Sequence, residues 1–329
     1  METKTFCLHC CLSVNNTTLN KVMQTTTSQP MVKYSIKDLE KLTGIKAHTI
    51  RIWEKRYGLI SPERTSTNIR FYSDRDLRKL LNVSILNRNG LKISNIVTMD
   101  ADEIHERIMD ISEAAYDSNN QIEHLILAMI EFDELRFEKV LSSTIIKMGF
   151  DETVTKVLYP FFDKVGVLWQ VGTIYPAQEH FVSYLIRQKL SIAIDAQSLQ
   201  TNHEAKTFLM WLPSNEWHEL GLLFYNYLIR KNGFKSIYLG QSVPFEDIQA
   251  VVQKQNIDYF FTSVTTPLPQ KKYEEFVEQI AHTFPNKTIF VSGYQVQEIK
   301  MDYPASVIPI NKPDEFLSII AQLKQSLQP

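Results

Sequence analysis

Glu216-Trp217-His218-Glu219-Leu220-Gly221 stands between an apolar run at 207–212 and a helical stretch that reaches 231. Counting on from Gly221, 41 residues intervene before Ser263-Val264-Thr265, and 26 more before Ser292-Gly293. Each of the three segments closes an apolar run, at 207–212, 257–264 and 288–291, and two further runs lie at 236–239 and 306–309. Helical stretches at 218–231, 245–255, 270–284 and 313–327 separate them. Alternating strand and helix predicts a parallel sheet flanked by helices. In such folds ligands bind outside the carboxyl ends of the strands, so His218, Ser263 and Gly293 are expected to touch one ligand.

The residue types fit a metal-centred ligand. A neutral imidazole is a good donor to a borderline transition metal, and a carboxylate two residues earlier can accept its other N–H, which fixes tautomer and basicity. Glu216 fits that supporting role. Gly221 opens the next helix without a Cβ, so a flat ring can approach the backbone. A lone histidine on a strand-to-helix loop is ordinarily just a loop residue, because short motifs match by chance. The two downstream spacings tip the reading toward a ligand.

Glu216-x-His218-x-x-Gly221, Ser263-Val264-Thr265 and Ser292-Gly293 together resemble the pattern of the cobalamin-binding domains. The resemblance implies a flavodoxin-like sheet in which His218 becomes the lower axial ligand of cobalt. The displaced dimethylbenzimidazole tail then runs down into the fold, past Ser263, Thr265 and Gly293. One position departs from the family: Ser292 stands where its pattern has the first of two glycines, and the added hydroxymethyl narrows the slot for the tail.

The rest of the chain bounds the reading. Its 329 residues predict two or three domains, and 44% hydrophobic residues are ordinary for a soluble, well-cored protein. No apolar run approaches a membrane span. Cys7, Cys10 and Cys11 all precede residue 12, so the remainder has no disulfide framework, which is a cytosolic profile. Residues 1–30 are rich in Thr, Asn and Ser and read as a disordered tail, or as sequence upstream of a true start at Met31. Cys7-x-x-Cys10 with His9 is half of a zinc pattern without its second ligand pair.

The net charge of −2 hides an asymmetry. Residues 31–93 hold 14 Lys and Arg against 6 Asp and Glu, a balance of +8, while 94–329 hold 19 against 30, a balance of −11. Segregation on this scale predicts a polyanion-binding head on an acidic body.

Within the head, Ser35-x-x-Asp38 has the form of a capping box, and Ile36, Leu39 and Leu42 repeat at helical spacing until Gly44. A second helix opens near His48, with Ile50, Trp53 and Tyr57 on one face and Arg51 and Lys55 on the other. This pairing predicts a helix-turn-helix whose basic face enters the major groove. A polar hairpin from Arg64 to Tyr72 follows, with Asn68 at its turn, and Ser73-x-x-Asp76 caps a third helix. The run Arg51-Ile52-Trp53-Glu54-Lys55-Arg56-Tyr57-Gly58-Leu59, with Pro62, Arg64-Thr65, Arg70, Tyr72-Ser73 and Asp76, resembles the winged helix-turn-helix of MerR-family regulators. The resemblance implies DNA contacts at Arg51, Lys55, Arg64 and Arg70. Read without it, basic residues on a helix are a solvated face.

Between 102 and 200 no strand pattern is visible. Apolar residues recur at three and four along 121–131, 134–148, 152–169 and 177–196, which predicts four antiparallel helices. Trp169 and Glu179-His180 are separated by nine residues and by the breakers Gly172 and Pro176. Singly, Trp169 reads as core, Glu179 as surface and His180 as an ordinary helix histidine. Their spacing resembles the helical domain of cobalamin-dependent MerR-type photoreceptors, which implies that they meet the upper, adenosyl side of the corrin.

The expectation is a multidomain chain: a tail at 1–30, a winged helix-turn-helix at 31–100, a four-helix bundle at 101–203 and a flavodoxin-like α/β cobalamin-binding domain at 204–329. The resemblances imply a cytoplasmic transcriptional regulator, a repressor rather than an enzyme, that binds double-stranded promoter DNA as a homo-oligomer and answers to adenosylcobalamin and light. Two alternatives stand beside it: a regulator with a degenerate vitamin pocket, which Ser292 favours, and a corrinoid methyl-transfer protein, which the basic head disfavours.

Overall fold

A computed structural model of the chain describes residues 34–65, 68–114, 118–170, 174–197 and 205–325. The tail and its Cys7, His9 and Cys10 lie outside the described residues. The chain divides into two compact units between Val182 and Ser183.

The first unit opens with α1 (Ile36–Thr43), α2 (Ala47–Tyr57), the wing strands β1 (Glu63–Arg64) and β2 (Arg70–Phe71), and α3 (Asp74–Arg88). Both capping boxes form: Ser35 with Asp38 starts α1, and Ser73 with Asp76 starts α3. Each satisfies two backbone donors that a helix start leaves orphaned, an effect of about 1 kcal/mol. Gly44 and Gly58 end α1 and α2 in the left-handed region, at φ 70° and 60°. Asn68 takes the same conformation at the wing turn, at φ 64°, and Tyr34 pairs with Tyr72 to tie the wing to the segment that leads into α1. Leu39, Leu42, Ile50, Trp53, Tyr72, Leu77, Leu80 and Leu81 are buried.

Helices α4 (Ile93–Ile96) and α5 (Ala101–Ala114) lead into the bundle of α6 (Ser118–Glu131), α7 (Glu134–Met148), a composite third helix, and α10 (Pro176–Asp195). The third helix is built of α8 (Phe150–Thr153), a π turn at Val154–Leu158 and α9 (Tyr159–Gln170). Four helical stretches therefore sit where the three-and-four spacing placed them. Ile122, Leu125, Ile126, Met129, Phe137, Leu141, Val157 and Phe161 fill the interior, with Phe137 and Phe161 edge to face at 6.2 Å.

The second unit takes the end of α10 and a five-stranded parallel sheet: β3 (Thr207–Pro213), β4 (Lys235–Val243), β5 (Tyr259–Ser263), β6 (Thr288–Ser292) and β7 (Val307–Pro309). The strand order β4-β3-β5-β6-β7 is the flavodoxin type. Helices α11 (Leu220–Lys231), α12 (Phe245–Lys254), α13 (Gln270–Thr283), α14 (Tyr294–Glu298) and α15 (Pro313–Gln325) alternate with the strands. Phe208, Phe261 and Phe290 pack on Phe316 of α15, while Leu209, Trp211, Phe260 and Ile289 join Ile248 of α12 and Val277 of α13. β3, β5 and β6 thus each feed one core by their odd and another by their even residues, as buried parallel strands do.

Candidate functional site

β3 lies inside the sheet with β4 and β5 on its two sides, so the loop that leaves it emerges at the switch point of the strand order. That loop carries Glu216, Trp217 and His218. Glu216 is 2% exposed, and its two oxygens do separate tasks. Oε1 accepts from the backbone N–H of Trp217 at 2.9 Å and of His218 at 3.0 Å, and it also binds His218 Nδ1. Oε2 accepts from the N–H groups of Thr265 and Thr266 at 2.8 and 2.7 Å, which clamps the motif loop to the loop after β5. Burial pushes the Glu216 pKa up, but the hydrogen bond and charge of His218 and the N–H groups of Thr266 and His218 outweigh it and hold the value at about 2.

The consequence for His218 is a fixed ring. With Nδ1 donating to a carboxylate, the neutral imidazole keeps its lone pair on Nε2. Nε2 is buried and has no hydrogen-bond partner among the described residues. Nor does any cluster of three His, Cys, Asp or Glu that would hold a bare ion occur among them. A single orphaned nitrogen donor suits a metal that brings its other ligands with it, as a corrin does.

The surroundings leave room for a flat ring. A Cβ built on Gly221 meets nothing within 4 Å. Ser263 and Ser292 are register partners across β5 and β6, and each lies two residues beyond Phe261 and Phe290, so both point to the side of the sheet that α11 and α15 cover. Both are buried, and Ser292 Oγ has no hydrogen-bond partner among the described residues. Gly293 allows no side chain: at φ 104° it abuts the backbone of Val264, where a Cβ would collide. The site gathers Glu216, His218, Gly221, Ser263, Thr265, Ser292 and Gly293 at one end of the sheet.

Three contributors were invisible in the sequence. Thr266 acts through its backbone N–H, Gln241 Nε2 donates to Trp217 O at 2.9 Å, and Arg187 pairs with Glu219 at 2.9 Å. A backbone donor leaves no mark on residue choice, and a Gln or Arg on an ordinary strand or helix carries no motif.

The remaining candidates lie in the first unit. Trp169 belongs to the last turn of α9, and its side chain lies outside the described residues. Glu179 and His180 fall in the first turns of α10, which Gln178 pins by accepting from Tyr175 N at 2.9 Å and donating to Ile130 O at 3.1 Å. Glu179 is 2% exposed, its Oε1 lacks a partner among the described residues, and burial pushes its pKa up to about 7. It is therefore able to donate as well as accept near neutrality.

On the head, Arg51 and Lys55 project from the exposed face of α2 and Arg64 from the wing, while Trp53 is buried beneath them. Arg64 Nη1 donates to Asn68 Oδ1 at 2.6 Å across the wing turn. Arg70 differs: it is half-buried, and its Nε donates to Glu54 Oε1 on α2 at 3.2 Å, which pins the wing to the helix.

Comparison with known proteins bears on the head and the bundle by family and on most of the chain by relatives. The profile of the MerR HTH family regulatory protein matches residues 34–103, and that of the B12 binding domain matches 121–194. The chain is 28% identical over 263 residues to the HTH-type transcriptional repressor CarH of Myxococcus xanthus, covering 77% of this chain and 85% of that protein. It is 24% identical to the repressor CarA of the same organism, over 80% and 87% of the two chains. An uncharacterized HTH-type transcriptional regulator of Bacillus subtilis, YyaN, is 31% identical over 120 residues, covering 35% of this chain and 87% of that protein.

Proposed function

Because the chain belongs to the MerR family of helix-turn-helix regulators and carries a cobalamin-binding domain, we propose that it represses transcription under the control of adenosylcobalamin and of light. The observation that carries the reading is the His218 ring, held at Nδ1 by Glu216 with Nε2 buried and without a partner among the described residues. His218 Nε2 would supply the protein's nitrogen donor to cobalt. Glu216 fixes the tautomer and keeps the ring from turning. Gly221, Ser263, Thr265, Ser292 and Gly293 bound the slot for the nucleotide tail. Trp169, Glu179 and His180 would hold the adenosyl group. When bound, adenosylcobalamin supplies a cobalt–carbon bond that visible light cleaves.

On the DNA side, Arg51, Lys55, Arg64 and Arg70 contact a promoter duplex in the cytoplasm, with the protein as a homo-oligomer on paired half-sites. The relatives are regulators, and the same role, rather than catalysis, is proposed for this chain. The likeness to a repressor over 85% of that protein's length supports repression.

A second reading is favoured by Ser292. Its buried hydroxyl, without a partner among the described residues, sits at the proposed tail slot and supports a regulator whose pocket no longer takes the vitamin. One titration decides between the two. Purified protein mixed in the dark with adenosylcobalamin is expected to retain the red cofactor through gel filtration, with a spectrum that reports imidazole in place of benzimidazole, and His218→Ala is expected to lose it. Wild-type protein that elutes colourless leaves the degenerate pocket as the correct reading.

A further inference from the structure

The DNA-binding head and the bundle meet at a polar joint that neither DNA contact nor ligand binding explains. α1 ends at Thr43, and its last carbonyls face cations from two other helices. Arg88 Nη2, at the end of α3, donates to Thr43 O at 2.9 Å, and Lys164 Nζ, on α9, donates to Leu42 O at 3.2 Å. Ser84 Oγ of α3 adds a bond to Thr43 O at 2.9 Å. Behind them stands Glu123 of α6, fully buried, which pairs with Arg88 Nη1 at 2.8 Å and lies 3.4 Å from Ser84 Oγ.

The electrostatics are coherent. A helix carboxyl terminus carries partial negative charge, which both cations offset. Arg88 is itself kept in place by Glu123, because a carboxylate buried at that depth requires a charged partner. Such a pair adds little net stability over an apolar one, but it ties the end of α3 directly to α6.

What the joint touches is the turn of the helix-turn-helix. Gly44 follows Thr43 at φ 70°, and a Cβ there would collide with the Arg88 guanidinium. Three residues on, Ala47 N opens α2 and donates to Glu40 Oε2 of α1 at 3.3 Å. The path therefore runs from Glu123 and Lys164 through the α1 carbonyls and the Gly44 turn to α2, which carries Arg51 and Lys55.

We propose that Glu123 and Lys164 are positioning residues for DNA recognition, through which the bundle sets the pose of α1 and α2 on the duplex without touching DNA. The joint is also where a shift of α6 or α9 reaches the reading helix. The inference needs only a DNA-binding head, so it stands or falls apart from the cobalamin reading.

The test uses the full chain and a duplex selected by the wild-type protein from a random library. Lys164→Met removes the charge and keeps the stem, Lys164→Arg keeps the charge, and Glu123→Gln with Arg88→Met removes the ion pair without stranding a buried charge. At a temperature where circular dichroism shows every variant folded, Lys164→Met and the double variant are expected to bind the duplex about tenfold more weakly. The slope of log affinity against log salt should match wild type, because no phosphate contact is lost, and Lys164→Arg should restore affinity. Wild-type affinity in both variants means that these residues only hold the fold, and the proposal fails. It fails equally if the slope flattens by about 0.9 in Lys164→Met, since Lys164 is then itself a phosphate ligand.

Discussion

Among the described residues, five donors converge on the Glu216 carboxylate, four of them backbone N–H groups. A Gln in its place can accept with one terminal atom only and would turn N–H against N–H at the other, so Glu216→Gln is expected to weaken cobalamin binding about 10–100-fold, read by absorbance titration. The acid dependence has a definite sign. The folded pKa is about 2 against an ordinary 4.5, so the stabilisation is complete above about 4.5 and is lost as pH falls toward 2. Wild type should exceed Glu216→Gln in denaturation midpoint at neutral pH, and the gap should close across that window. Glu179 has the opposite sign. Burial raises its pKa to about 7, so its cost to stability is absent below about 4.5 and complete above about 7. Glu179→Gln should therefore raise the melting temperature at pH 8 and leave it unchanged at pH 4; a rise at both would show that the gain is not electrostatic. The identities of Glu216 and His218 were legible because side-chain chemistry demands those residue types. Thr266 was not, since any residue but proline offers the same N–H.

At the scale of elements, the wing and the recognition helix are one piece because Arg70 of β2 is tied to Glu54 of α2. Arg51→Ala is expected to weaken operator binding and to flatten the slope of log affinity against log salt by about 0.9, the signature of one lost phosphate contact. Arg70→Ala should weaken binding too, and its slope decides its role: flattened if the guanidinium also meets phosphate, unchanged if it only pins the wing. The sequence pattern resolved which face of α2 is basic but not this pairing, whose partners are sixteen residues apart. Spacing at three and four, together with the Ser-x-x-Asp caps, was enough to place α1 to α3 and the four bundle helices. α5 went unread although Ile104, Ile108 and Ile111 carry the period, because Asp102, Glu103, Glu106, Asp110 and Glu113 make its composition that of a polar linker.

Over the whole molecule, charge separates the two jobs. The +8 of residues 31–93 draws the head to a polyanion and the −11 of the rest keeps the body from it. A ligand shifts an equilibrium only by its different affinity for two states, so control by adenosylcobalamin requires contacts made in one bundle arrangement and not in the other. Protein loaded in the dark and then illuminated should change both in oligomer size, by light scattering, and in operator affinity. Bleaching of the cofactor with neither change would leave a vitamin sensor without light control. None of the head-to-bundle joint was legible in the sequence, since Glu123, Ser84 and Thr43 are brought together only by tertiary packing.

The π turn at Val154–Leu158, closed by the Tyr159 N–H on Val154 O, holds one residue more than an α turn would. An α-helix advances about 100° per residue, so an extra residue in a regular helix would rotate every later side chain off its packing partner. The bulge confines that offset to a single turn, and Thr153 before it and Phe161 after it both stay buried. The third helix thus already accommodates a one-residue surplus, and this is where the bundle should forgive its removal. Removing one residue from 154–158 ought to leave a folded, slightly straighter helix, whereas the same deletion in the middle of α7 ought to cost the bundle its core.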